Sequence, residues 1–309
     1  MGFIPINKMW ERIEVARTGS DVALFLGLLY FGEMLSKIVV SALTAGIKDD
    51  RERHRYRQLH KLVRADGLGE WSKVVDEVLT GTASEHLQSQ TREEQRELTQ
   101  RCGTGTWQYD SLSLLNACLK RIDQSNEEIP IKIDGRKWFS TLAKLRNKTR
   151  GHGAPQINVC SSICPDLEMS IKILVDNFCI FRRPWAFLHR NLSGKYNIIK
   201  LTENTQPFDY LRTDRSVSLR DGVYIHFDHH SRVDLIESNV DALDFFFPNG
   251  GFNDKQFELI SYITGSKSYG DSKPYLVPAT ELPTSETQGI GILDIQGKCF
   301  SNLPSAPKG

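Results

Sequence analysis

Seven consecutive residues, Arg146-Asn147-Lys148-Thr149-Arg150-Gly151-His152, bring together a guanidinium, an amide and an imidazole. Breaking RNA without a metal calls for these types: a base for the 2′-OH, a cation for the crowded phosphate and an acid for the leaving oxygen. Histidine titrates near neutrality and serves as base or acid. Arginine offers a permanently charged, rigid fork to a phosphate. On an ideal helix Arg146 and His152 fall on different sides. They converge only if the chain bends at Gly151 or if two copies meet across a dimer axis.

The element that must carry them runs from Asp134 to Pro155, DGRKWFSTLAKLRNKTRGHGAP. Trp138, Leu142 and Leu145 recur at helical spacing and predict one buried stripe. The other faces hold Arg136, Lys137, Lys144, Arg146, Lys148 and Arg150, with no acid between Gly135 and Pro155. Helices ordinarily gain by mixing charges at i,i+4, and this one stacks like charges instead. Gly151 and Gly153 stop it, which leaves His152 on a helix end or tight loop. A basic, solvated helix end with a capping histidine is the plain alternative.

Arg146, a polar residue directly after it, and His152 after five intervening residues resemble the arginine–histidine motif of the HEPN superfamily, helical-bundle ribonucleases of toxin and antiviral systems. The resemblance implies a homodimer with two motifs facing each other, cutting RNA without metal or other cofactor. It assigns catalytic roles to Arg146 and His152 and the polar position to Asn147. Lys144, Lys148 and Arg150 are then expected to hold the flanking RNA backbone. Single-stranded or tRNA-like loop RNA suits a cut that needs in-line attack. The runner-up from a different class is a non-catalytic helical dimerisation or sensor module that binds a nucleotide, RNA or phage protein.

With 309 residues the chain has room for more than one core, and its net charge of +1 confines any nucleic-acid surface to a local patch. The six cysteines show no disulfide-framework spacing and no secretory signal opens the chain, so a reduced, cytoplasmic protein is expected. Val22 to Ala45 is strongly apolar, but Glu33 and Lys37 interrupt it, which predicts a central bundle helix rather than a membrane span. Those two residues are expected to pair on its exposed edge, and Ser20 and Asp21 to cap it.

Before it, Asn7 to Thr18 reads as a short amphipathic helix with Met9, Ile13 and Val15 apolar. After it, Arg51, Arg53, Arg55, Arg57, Lys61 and Arg64 interleave with His54, Tyr56 and His60, as a second phosphate-contacting surface or a solvated helix face. Helices are expected over 70–79, 84–101 and 110–122. Gly103 to Thr106 lacks the Lys-Ser/Thr of a phosphate loop and reads as a turn. The last bundle helix is expected over 163–181, with Pro165 and Asp166 at its start. Cys160 and Cys164 have no matching Cys/His pair nearby and read as structural thiols.

The composition changes at Arg182-Arg183-Pro184. Short β-like runs follow at Tyr196, Gly222, Arg232, Asp244 and Phe257, separated by turn signals. The expected architecture is α+β: an all-α HEPN-like bundle over 1–182, a smaller β-rich domain over 183–270 and a flexible linker over 271–309. His226, Asp228, His229 and His230 suggest either a metal site or turn residues. The Pro/Ser/Thr-rich ending resembles linkers that precede the nucleotide-binding module of STAND-type defence ATPases, which would make such an ATPase a downstream partner.

Overall fold

The computed structural model describes residues 2–48, 50–64, 67–124, 128–150, 157–214 and 216–234, without the side chains of residues 63, 64 and 150. The protein is mixed helix and strand, with a helical N-terminal region. The expected strands at Asp244 and Phe257 and the linker lie outside the described residues.

The helical region is built round α2 (Asp21–Ala45), whose apolar run leaves nearly every residue from Leu28 onward buried. Its start is fixed by the Ser20 hydroxyl, which accepts a hydrogen bond from the Ala23 N–H at 3.1 Å. Glu33 and Lys37 do pair, at 3.9 Å, but inside the bundle: they are 5% and 2% exposed, and the Lys37 ammonium lies over the Trp71 ring. The expected exposed edge does not exist, because neighbouring helices cover α2 on that side too. Apolar burial on this scale contributes about 1.5–3 kcal/mol for each large side chain enclosed.

Ahead of it, α1 (Ile4–Gly19) buries Ile6, Met9 and Ile13, whereas Val15 is exposed. Positions 6, 9 and 13 share a helix face and position 15 is rotated off it. Next come α3 (His54–Arg64) and α4 (Leu68–Thr80). The single helix expected over 84–101 is instead a 3-10 turn at Thr82–His86 followed by α5 (Thr91–Thr99). A two-residue strand β1 (Arg101–Cys102) pairs antiparallel with β2 (Ile133–Asp134), and between them runs α6 (Trp107–Ile122). Gly103–Thr106 forms a turn, with the Thr106 hydroxyl donating to the Gly103 carbonyl.

Two helices close the bundle, α7 (Lys137–Arg150) and α8 (Ile157–Asn177). Helix α8 begins six residues before the expected start, so Pro165 sits inside it rather than in its first turn. Proline removes one intrahelical donor. Nearby, the Arg121 guanidinium donates to the Ser162 carbonyl and pairs with Asp166 at 2.6 Å, supplying polar partners around the interruption. The apolar positions Cys160, Ile163, Cys164 and Leu167 continue one buried face through it.

Beyond Arg183 a four-stranded antiparallel sheet runs in the order β4 (Tyr196–Lys200), β3 (Trp185–Arg190), β5 (Gly222–His226), β6 (His230–Arg232). Phe187 pairs with Ile199 and Val223, and Ile225 pairs with Ser231. The strand expected to begin at Arg232 ends there instead. One sheet face, with Trp185, Phe187, Val223 and Ile225, joins the same apolar cluster as the helices. The other packs on Phe208 and Leu211 from a 3-10 helix at Gln206–Arg212. The N-terminal end of α1 is tied in as well: Ile4 N–H donates to the Leu201 carbonyl at 2.9 Å, and the Phe3 ring lies 5.2 Å from that of Trp185.

Candidate functional site

Helix α7 is positioned from three sides. Trp138, Phe139, Leu142 and Leu145 are buried, as the apolar stripe requires. The Trp138 indole donates to the Ser170 hydroxyl on α8 at 2.9 Å, and Ser170 donates to the Ser111 carbonyl on α6 at 2.7 Å. Against α2, Leu142 fills the space over Gly32, where a Cβ would lie 2.7 Å from Leu142 Cδ2. At the N-terminal end, the Arg136 guanidinium grips Asp134 at 3.0 Å and Asp76 at 3.1 Å. Arg136 is therefore a structural clamp, and the like-charge stacking read along this stretch is relieved at its start by the neighbouring Asp134 and by Asp76 from distant sequence.

The remaining faces place the expected site residues. Lys144, Asn147 and Lys148 line a groove of about 670 Å³ between α6 and α7. Lys137 and Thr141 extend that row, since 137, 141, 144 and 148 follow the i, i+4, i+7 ridge of a helix. Leu112, Leu119 and Ile133 give the groove an apolar floor, and Asn116 adds an amide. Lys148 pairs with Asp123 at 2.9 Å, whereas Lys137 and Lys144 have no carboxylate within ion-pair distance among the described residues. Lys137, Thr141 and Asn116 are not among the site residues expected from the sequence. The ridge spacing from Lys144 and Lys148 is the signal that reaches the first two, and Asn116 carries none.

Arg146 is half-buried and is not among the residues lining the groove. Its Nη1 lies 3.5 Å from the Asn147 side-chain oxygen, its Nε is buried without a hydrogen-bond partner, and no described carboxylate pairs with it. Beside it Thr149 is buried and donates to the Leu145 carbonyl at 2.9 Å. Arg150 is the last residue of α7, and His152 lies outside the described residues. Thus Lys144, Asn147 and Lys148 come together on one groove, and Arg146 stands one position round the helix from it.

The basic segment at the start of α3 is engaged within the protein only in part. Arg55 pairs with Asp234 at 2.8 Å, Lys61 with Glu77 at 2.8 Å and Arg57 with Glu52 at 3.6 Å, while His54 is buried. Arg55 and His54 are thereby taken up inside the protein, whereas Arg57 and Lys61 remain 58% and 48% exposed in surface pairs.

In the His226–His230 run the side chains are divided between two tasks. The Asp228 carboxylate accepts hydrogen bonds from the Ser89 and Gln90 backbone N–H groups ahead of α5. His226 and His230 face each other through Nδ1 at 3.0 Å, and His230 Nε2 meets the Tyr210 hydroxyl at 3.0 Å. Burial lowers the pKa of both imidazoles, that of His230 to about 4, so neither carries charge at neutral pH.

Among the described residues, metal-ligand spacing occurs at Asp50/His54/His86 and at Glu93/Glu94/Cys179. The second group is already occupied by the Arg183 guanidinium, 2.6 Å from Glu94. Burial raises the thiols of Cys118 and Cys164 to about 12 and also raises Cys160 and Cys179, so these cysteines stay protonated. No protein-family model, no curated protein and no solved structure matches the chain.

Proposed function

We propose that the chain is a HEPN-type endoribonuclease of a toxin or anti-phage defence system, working as a homodimer on single-stranded or tRNA-like RNA. The observation that carries this reading is Arg146. It is a half-buried guanidinium with an unsatisfied Nε and no acidic partner among the described residues, beside Asn147 and one position from a lysine-lined groove. Elsewhere Arg17, Arg55, Arg121, Arg136 and Arg183 each meet a carboxylate. A guanidinium held without an anion is suited to receive one.

In this reading Arg146 stabilises the pentavalent phosphate, His152 moves the proton at the 2′-OH or the 5′-oxygen, and Asn147 orients the guanidinium. Lys144, Lys148 and Arg150 hold flanking phosphates. The products are a 2′,3′-cyclic phosphate and a 5′-OH. Fixed charge aimed at the transition state contributes most to such an acceleration, and removing one such donor costs about 100- to 1,000-fold in rate.

Purified protein is incubated with total RNA in excess EDTA. Cleavage is expected for the wild type and is lost in Arg146→Ala and His152→Ala, each with an unchanged far-UV spectrum. Cleavage that survives in both variants overturns the assignment. The apolar floor of the groove favours a second reading, a non-catalytic sensor that binds a nucleotide there. Intact RNA together with saturable nucleotide binding, weakened by Lys144→Glu, is the result that selects it.

A further inference from the structure

We propose that His54 and His86, together with Asp50, hold a first-row divalent transition-metal ion, with Glu52 behind the His54 ring. Such a site stands independently of the ribonuclease reading. One ligand atom from each of Asp50, His54 and His86 lies within 4.8 Å of the others. Two imidazoles and a carboxylate are a donor set suited to zinc and its neighbours.

The details of the cluster favour an ion over a plain helix cap. Asp50 does cap α3: its carboxylate accepts from the Glu52 N–H at 2.8 Å and the His54 N–H at 3.0 Å. The same carboxylate holds His54 Nδ1 at 2.9 Å. A carboxylate only accepts, so the ring donates from Nδ1 to Asp50. In the metal-bound form the ion would take the place of that Nδ1 proton, between two ligand atoms already 2.9 Å apart on a histidine that is 5% exposed. His54 Nε2, on the other edge of the ring, faces the Glu52 carboxylate at 3.7 Å, too far for a hydrogen bond.

With metal bonds of about 2.0–2.1 Å, two tetrahedral ligands stand about 3.3 Å apart, near the Asp50–His54 spacing of 2.9 Å, and the His86 ring has to turn out of its stack to bring its nitrogen in from within 4.8 Å. Glu52 also faces Arg57 at 3.6 Å and is the most exposed member, so it can turn between Arg57 and the His54 ring.

The second imidazole is brought in by backbone pairing. Lys48 N–H donates to the His86 carbonyl at 2.8 Å, and Gln88 N–H to the Gly46 carbonyl at 2.9 Å, which bridges Ile47 and Leu87. The His86 ring stacks on His54 with centroids 4.7 Å apart. Between Glu52 and His54, Arg53 adopts φ 57°, a left-handed conformation in which L side chains are strained. The ligands thus come from two segments already pinned together, and Glu52, facing the far edge of the His54 ring, stands where a ligating histidine usually has its orienting carboxylate. The ion would fasten the α2–α3 connection to the turn ahead of α5.

The test uses the full chain, stripped with chelator, dialysed and titrated with Zn²⁺ by calorimetry and with Co²⁺ by visible absorption. The expected result is saturable uptake of one ion per chain, with nitrogen/oxygen-type Co²⁺ bands and no thiolate charge-transfer band. His86→Gln is expected to weaken affinity at least about tenfold, the scale lost when ligand sets are disturbed, and Glu52→Gln less. Absence of saturable uptake, a thiolate band, or unchanged affinity in His86→Gln overturns the proposal. The wild-type Co²⁺ spectrum decides the ligand type even if a variant fails to fold.

Discussion

Replacing Arg183 with Met tests how the sheet is fastened to the helices. The guanidinium meets Glu94 twice, Nε to Oε1 at 2.6 Å and Nη2 to Oε2 at 3.2 Å, and Glu93 at 2.8 Å. It also donates to the Gln90 carbonyl at 2.8 Å and lies over the Phe227 ring. Burial opposes the Arg183 charge, but hydrogen bonding and attraction to Glu94 overcome it and hold the guanidinium pKa above its ordinary value. Glu94 is 0% exposed, so removal of the arginine strands a carboxylate without its cation.

Breaking a buried pair in this way costs about 3–5 kcal/mol, against about 0–1 kcal/mol for an exposed pair. Urea denaturation followed by tryptophan fluorescence at neutral pH gives the measured value. Glu94→Gln added to Arg183→Met should recover a large part of the loss, because the stranded charge is gone. A single-mutant cost below about 1 kcal/mol, or a double mutant no better than the single, refutes the reasoning.

Ser170→Ala removes the acceptor of the Trp138 indole and a partner of Ser111, leaving buried polar groups unsatisfied. A loss of about 1–3 kcal/mol is expected by urea denaturation. For His226 and His230 the folded pKa lies below the unfolded value of 6.5, so the unfolded chain binds more protons in acid. Their contribution is present above pH 6.5 and fades as the pH falls from there toward about 4, and His230→Gln should flatten that part of a stability–pH profile. Lys137→Glu and Lys144→Glu should weaken RNA binding and reduce its salt dependence by about one unit of slope each, measured by fluorescence anisotropy across a salt series.

Local rules are enough for some elements and blind to others. The Ser20 cap, the apolar run of α2 and the stripe of α7 depend on residues within a turn of each other, and they are legible. What covers a helix is set by distant chain. Hence Glu33 and Lys37, which read as an exposed pair, are enclosed, and Val15, an apolar residue of an amphipathic helix, faces out. Helix α8 starts earlier than expected because proline favours a first turn, while the buried face from Cys160 to Leu167 carries the helix through it. At the site, the row of Lys144, Asn147 and Lys148 follows from helical spacing. The neutralisation of Arg136 by Asp76 does not, because a partner sixty positions away leaves no local trace.

The seating of Phe3 between Phe181 and Trp185, with Ile4 hydrogen-bonded to Leu201, ties the earliest described turn of the chain to a strand nearly two hundred positions later. A fragment cut after Arg182 would therefore lose a wall rather than an appendage. It would bare the aromatic rings at the foot of α1 and invite self-association, so an inactive truncated protein would say nothing about where the chemistry resides.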